Sequence, residues 1–191
     1  MSVPFLHRDV PAVVRAAQLL GITGAAGLAG AIIGISTFTV PAILQAPAPL
    51  AAKQWSNVYG RGKVFAPPIA VAVGAIFGAL AYREYNGNTA ALGLYTAAAV
   101  LAPSIAPYTL TVMAKTNAAL DRKAEDAGVE DAAMEKEETV HGLVDYWASL
   151  NLVRGLMMLA SAGLGAWASL TATEVLGLDK IELLSGANRM G

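Results

Sequence analysis

Trp147, Asn151 and Arg154 stand at i, i+4 and i+7 of the stretch 147–155. A helix there carries an indole, an amide and a guanidinium on one face. The same stripe continues through Met158, Ser161, Ala162 and Gly165. A guanidinium at the mouth of an apolar helix is costly without a partner, so it marks a function or a fixed structural contact. The plainer reading is a helix-end arginine snorkelling to a membrane interface. Residues of matching chemistry occur elsewhere: Trp55 and Tyr59 at i, i+4, Tyr108 within the third apolar stretch, and Asn117 just beyond it. Two tryptophans, two tyrosines, two amides and one arginine suit a flat aromatic ligand. Rings stack on it, amides orient it, and one cation meets a developing negative charge.

Metal chemistry finds less material. Glu138-x-x-His141 has the spacing used by helical di-iron proteins, but those sites need a second such pair and two further glutamates. The only other histidine is His7, and no glutamate lies inside an uncharged run. His141 and Asp145, at i, i+4, supply two ligands where a catalytic site needs about three. The chain has no cysteine, which removes disulfides, thiolate sites and iron–sulfur clusters. It also lacks a glycine-rich dinucleotide fingerprint, a Walker loop and paired histidines for haem. No metal and no cofactor is expected. His141 remains a candidate proton acceptor, yet on a continuous helix it lies about 120° round from the Trp147 stripe. A break near Gly142 would bring it back; otherwise it is an exposed histidine in an acidic segment.

The elements that position these residues follow from charge spacing. Of 191 residues, 55% are hydrophobic and 14% charged, against about a quarter charged in soluble domains. Uncharged runs of 37, 19, 30 and 19 residues follow Arg15, Lys63, Glu84 and Arg154. A bilayer crossing needs roughly 20 apolar residues, so the expected fold is an all-α, integral membrane four-helix bundle forming a single membrane domain. The spans are placed at 14–43, 65–82, 90–113 and 152–173. The first run is too long, and too mixed in charge ahead of it, for a secretory signal peptide. A multi-pass protein of the endoplasmic reticulum is expected, with lipid around it. The net charge of -1 gives no reason to expect nucleic acid.

Within that frame, Gly27, Gly30 and Gly34 form a small-residue surface expected to pack inside the bundle. Ser36, Thr37 and Thr39 precede Pro41, where their hydroxyls can serve backbone groups that the proline frees. A short amphipathic piece at 51–59 follows a proline-containing loop, and Pro67-Pro68 is expected to open the second span. Pro103 and Pro107 predict a kink or break in the third. Thr109, Met113, Thr116 and Leu120 form one stripe with Asn117 at its edge. The stretch 121–145 holds nine acids and three bases, which reads as a solvated helix or hairpin between spans three and four. The tail from 174 is expected to be a short exposed segment. The loops after spans one and three hold eight basic residues against five on the terminal side, which favours those loops being cytoplasmic.

The runs Ser36-Thr37-Phe38-Thr39-Val40-Pro41-Ala42, Lys53-Gln54-Trp55 with Val58-Tyr59, Pro107-Tyr108-Thr109 through Thr116-Asn117-Ala118-Ala119-Leu120, and Trp147-x-x-Leu150-Asn151-x-Val153-Arg154 resemble the anthrone-oxygenase-like family of small four-span membrane proteins. The likeness extends over about 21–170. It implies oxidation of an anthrone to an anthraquinone by molecular oxygen, with a small aromatic substrate and O2 as partners. An anthrone enolate can give an electron directly to oxygen, so the chemistry itself needs no metal or flavin. The protein must bind the rings, remove a proton and hold the anion away from water. On this resemblance Trp55 and Trp147 pack the rings, with Tyr59 and Tyr108 beside them. Asn117 and Asn151 orient the substrate, Arg154 holds the anion, and His141 or Asp145 is the base. The rival from another class is a structural or carrier bundle. There Arg154 caps carbonyls of the kinked third span, Asn117 and Asn151 bond to each other, and the junction between helices is filled and dry.

Overall fold

The computed structural model describes residues 10–126 and 135–187, with side chains of the last helix followed over 139–171. Helix α1, Ala12–Gly34, starts behind the extended Pro11 and passes into a π-helical turn, Ile35–Thr39, before the short α2, Val40–Ile43. Pro41 has no amide hydrogen to give the helix, and its ring crowds the carbonyl one turn back. The π-turn immediately before it is a local widening that accommodates such a defect. The hydroxyls here take different work from that expected. Thr37 donates back to the Ile33 carbonyl, 2.9 Å away. Ser36 crosses to the Ala148 carbonyl on another helix at 2.9 Å.

Helix α3 is one rod, Ala48–Glu84, of 37 residues. The expected break between the piece at 51–59 and the second span is absent, and Pro67-Pro68 lie inside the helix rather than at its start. An interior proline costs about 3 kcal/mol in an isolated helix. Burial of Ala66, Ala70, Val73 and Phe77 against the other helices holds this one together.

The third crossing is broken as its prolines predict: α4, Thr89–Leu101, and α5, Ile105–Thr111, are separated by a turn at Pro103. Gly74 of α3 admits that turn, since a Cβ there would stand 3.0 Å from both the Ala99 carbonyl oxygen and Pro103 Cδ. Asn88 caps α4 with its side-chain oxygen on the Ala90 and Ala91 amides, and its amide reaches the Thr171 carbonyl.

Helix α6, Ala114–Asp126, is amphipathic and buries Thr116, Asn117 and Leu120; of the expected stripe, Met113 just before it is also buried and Thr109 on α5 is half-buried. Helix α7, Glu135–Ala187, runs unbroken for 53 residues through Gly142 and past 174, so the tail segment begins as helix. Four segments are long and apolar enough to cross a membrane: Ala12–Ile43, Ala48–Glu84, Thr89–Thr111 and Thr139–Thr171. Outward-facing Phe65, Val100, Trp167 and Leu170, each more than 60% exposed, fit a lipid surround. The protein is a multi-pass, all-helical membrane bundle.

Two hydrophobic cores result. A stem core joins α1, α3, α4 and α7 through small residues around Phe77 and Tyr95. A head core joins α2, α3, α6 and α7 around Trp55, Trp147, Met113 and Leu120. At 1.5 Å per residue α3 is about 55 Å long, well beyond a hydrocarbon core of about 30 Å. The head is built on that excess length. The stripe Gly27, Gly30 and Gly34 does not pack inside the bundle: a Cβ at Gly27 or Gly30 would meet nothing within 4 Å. The close approaches are made at Gly21 and Gly165, which flank the Phe77 ring, and at Gly155, where a Cβ would lie 2.5 Å from Ile33 Cγ1.

Candidate active site

A cavity of about 340 Å3 opens between α1, α3, α5 and α7, where stem and head meet. Its walls are largely apolar: Ile32, Ile35, Val58, Ala66, Pro67, Ile105, Ala106 and Leu110. Its polar and aromatic groups are Tyr59, Lys63, Thr109, Trp147, Asn151 and Arg154. None of the described lining residues is Asp, Glu or His. The irregular parts of the fold gather around it: the π-turn on α1, the proline pair in α3 and the broken third crossing. Each forfeits regular backbone bonding and the tight contacts that go with it.

Arg154 is 7% exposed. One of its Nη groups donates to Asn151 Oδ1 at 3.1 Å, while its buried Nε has no hydrogen-bond partner. Among the described residues no carboxylate pairs with it. Asn151 is fully used, since its Nδ2 donates to the Ile32 carbonyl at 3.0 Å and to Ser36 Oγ at 2.9 Å. Asn151 therefore ties α7 to the start of the π-turn and presents its oxygen to the guanidinium. Continuity of α7, two turns of it between Trp147 and Arg154, aligns all three residues on the cavity side as their spacing predicts.

An aromatic cluster runs from the cavity wall, where Tyr59 and Trp147 stand, back to Trp55. Trp55 stacks on Tyr59 with ring centroids 5.0 Å apart, and Trp147 meets both edge-on at 5.7 and 6.3 Å. Trp147 Nε1 donates to Asn117 Oδ1 at 2.9 Å, and Asn117 Nδ2 donates to Tyr59 Oη at 3.0 Å. The Trp55 indole nitrogen is buried without a partner. Lys63, absent from the expected residues, places its ammonium 5.5 Å from the Tyr59 ring centroid. Its one signal in the sequence is the basic cluster it forms with Lys53 and Arg61; Thr109 stands on the stripe it shares with Met113, Thr116 and Leu120, and the apolar liners carry no signal.

Of the expected residues, Arg154, Asn151, Trp147 and Tyr59 meet at the cavity. Asn117 and Trp55 stand one layer behind it. Tyr108 is half-buried against the head core and does not line the cavity. His141 and Asp145 lie elsewhere. The His141 ring is 2.9 Å from the Ala46 carbonyl in the turn between α2 and α3, and Asp145 is exposed. With α7 unbroken at Gly142, His141 stays round the helix from the stripe. It is neither beside Arg154 nor a free surface histidine. Glu138 of the E-x-x-H pair lies outside the described side chains. Among the described residues no group of three His, Cys, Asp or Glu side chains gathers. Asn117 and Asn151 do not bond to each other, Arg154 caps no carbonyl of the third crossing, and the junction is hollow.

The fold and site thus define a multi-pass helical membrane protein with a buried cation on an apolar cavity at one end of its bundle. The family model described as anthrone oxygenase matches residues 55–164, a stretch that begins at Trp55 and holds every polar liner of the cavity. An anthrone oxygenase of Claviceps purpurea is 34% identical over 72% of this chain and 79% of its own length. One of Aspergillus fumigatus is 32% identical over 82% of this chain and 94% of its own. A noranthrone monooxygenase of Aspergillus flavus is 33% identical over 72% of this chain and 66% of its own. The chain belongs to the anthrone oxygenase family. No solved structure matches it.

Proposed function

We propose that this protein is a membrane-embedded oxygenase that converts an anthrone-type aromatic polyketide to the anthraquinone with O2, in the cavity between α1, α3, α5 and α7. One observation carries the reading: a buried guanidinium, with an unpartnered Nε, on the wall of a largely apolar cavity. The names of the relatives support the substrate class. At about 340 Å3 the cavity falls at the lower end of small-molecule sites.

The reaction needs little from the protein beyond binding and charge stabilisation. An anthrone loses a proton from the ring methylene, and the carbonyl oxygen takes the charge as an enolate. The enolate gives one electron to O2, and the two radicals join as a peroxide at the former methylene carbon. The peroxide takes up one proton; loss of that carbon's second hydrogen as a proton, with cleavage of the O–O bond, then leaves a new carbonyl and a hydroxide. The hydroxide takes up one proton to become water. One anthrone and one O2 give one anthraquinone and one water. Arg154 faces the enolate oxygen and Asn151 holds the guanidinium in place. Trp147, Tyr59 and the apolar walls pack the rings and exclude water. With no acidic or imidazole side chain among the described lining residues, the methylene proton leaves to water at the mouth beside Lys63. The geometry lends no support to a base role for His141 or Asp145.

The test is turnover of an emodin-type anthrone by detergent-purified protein in air and under nitrogen. Anthraquinone formed one-for-one with O2 consumed, above the spontaneous rate and unaffected by a chelator, is expected. Binding without acceleration would instead establish the carrier reading.

A further inference from the structure

The polarity of the hydrogen-bond chain behind the cavity is fixed by chemistry. An indole N–H only donates, so the Trp147 contact at 2.9 Å must fall on the Asn117 carbonyl oxygen. That orients the amide and turns its NH2 toward Tyr59. An NH2 group has no lone pair to offer in this geometry, so Tyr59 Oη accepts at 3.0 Å and its own proton points elsewhere. No described protein group accepts that proton, and Tyr59 lines the cavity. The stacked Trp55, at 5.0 Å and 13°, keeps the phenol ring from swinging away.

Opposite it on α7, Asn151 plays the matching part for Arg154. Its Nδ2 is spent on Ile32 and Ser36, so only its oxygen faces the guanidinium. Two separate relays, Trp147–Asn117–Tyr59 and Ile32/Ser36–Asn151–Arg154, thus leave hydrogens directed to the cavity from two walls. The polar groups that these relays leave unspent there are donors. A cavity of that kind prefers an oxygen carrying negative charge over its protonated form.

We infer that Tyr59 is a second catalytic donor, whose hydroxyl hydrogen-bonds the substrate's enolate oxygen together with Arg154, and that Asn117 and Trp147 are positioning residues that force its proton into the cavity. This rests on the reading of the cavity as the anthrone site. The relay, however, also predicts binding of any phenolate, which separates the two claims. Trp147→Phe keeps an aromatic ring but frees the Asn117 amide to flip, so that Asn117 takes the Tyr59 proton itself.

The experiment compares wild type, Tyr59→Phe, Trp147→Phe and the double variant, with thermal melting as the control for folding. Each is assayed with an emodin-type anthrone. Each is also titrated spectrophotometrically with 1,8-dihydroxyanthraquinone, whose phenol changes colour on ionisation. For Tyr59→Phe the expected result is a roughly ten- to hundredfold lower kcat with little change in KM, the size for one lost charge-stabilising donor. The ionisation of the bound probe should move up by about one pH unit. Trp147→Phe should shift both in the same direction by less, and adding it to Tyr59→Phe should cost nothing further in either readout. A folded Tyr59→Phe protein with unchanged kcat and unchanged probe ionisation overturns the inference, as does simple additivity in the double variant. Wild type that ionises the probe in a Tyr59-dependent way but turns over no anthrone sinks the oxygenase reading and keeps the relay. Wild type that does neither sinks both.

Discussion

The stem and the head of this bundle are packed by different rules. In the stem the helices touch through Ala25, Ala29, Ala70, Ala98 and Ala162, around a stacked pair of rings, Phe77 and Tyr95, with Phe77 seated between Gly21 and Gly165. Its polar contacts are few: Ser161 Oγ donates to the Ala98 carbonyl at 2.9 Å, and Gln18 donates to Tyr95 Oη at 3.0 Å. In the head the fillers are large: Trp55, Trp147, Met113, Leu120 and Val144, all nearly or wholly buried. The solvent accounts for the difference. Lipid gives apolar side chains no reason to leave it, so association there relies on close approach of backbones. Water in contact with the head rewards burial of area, at about 25 cal/mol per Å2. The cavity lies where one rule gives way to the other, bounded by the π-turn, the proline pair and the Pro103 break. Neither rule fills that level.

The comparison can be broken at four places. Trp55→Ala should have the largest effect, about 3–5 kcal/mol of stability, as for a fully buried tryptophan. It should lower activity as well, because Tyr59 loses its stacking partner; a melting temperature equal to wild type would show that the head is not held by this cluster. Arg154→Ala should lower turnover per folded molecule by about a hundredfold or more. Arg154→Lys should recover it only in part, for want of the planar fork. Normal turnover in well-folded Arg154→Ala removes the residue from the mechanism, and a collapse of stability alone makes it a structural contact. Gly165→Leu overfills the stem against Phe77 and should cost about 1–3 kcal/mol. Here specific activity of the folded fraction should not change; a large loss would mean that the stem sets the cavity's shape. The smallest effect belongs to His141→Ala, a loss of about 1 kcal/mol for one hydrogen bond. Its turnover and pH profile should match wild type, and an abolished rate in folded protein would restore His141 as the base.

Some of this is legible in the sequence. The four crossings follow from uncharged runs, since a charge inside a bilayer is expensive and runs of 19 to 37 residues cannot otherwise be explained. The face formed by Trp147, Asn151, Arg154, Met158 and Ser161 follows from helical periodicity, which needs only that α7 be continuous. The break at Pro103 follows from proline's missing donor. Helix continuity itself was harder to read. Pro67-Pro68 looked like a helix start because local propensity disfavours them inside one, yet burial along α3 outweighs that preference. The glycines misled for a related reason. Small residues permit close approach, but which glycine has a neighbour depends on helix rotation, and Gly27 and Gly30 face outward while Gly21, Gly155 and Gly165 face in.

By itself, then, the sequence determined the number of crossings, the polar face of the last helix and the kinds of groups available at one end of the bundle. Those depend on periodicity and transfer energies, which are local. Only the tertiary structure decided which groups share a cavity: Tyr59 and Lys63 from α3 and Asn151 and Arg154 from α7, with Asn117 behind them and His141 turned to Ala46. Contacts between residues 58 or 115 positions apart depend on how four helices rotate about their own axes. That rotation is set by the joint packing of both cores, to which no single stretch of chain has access.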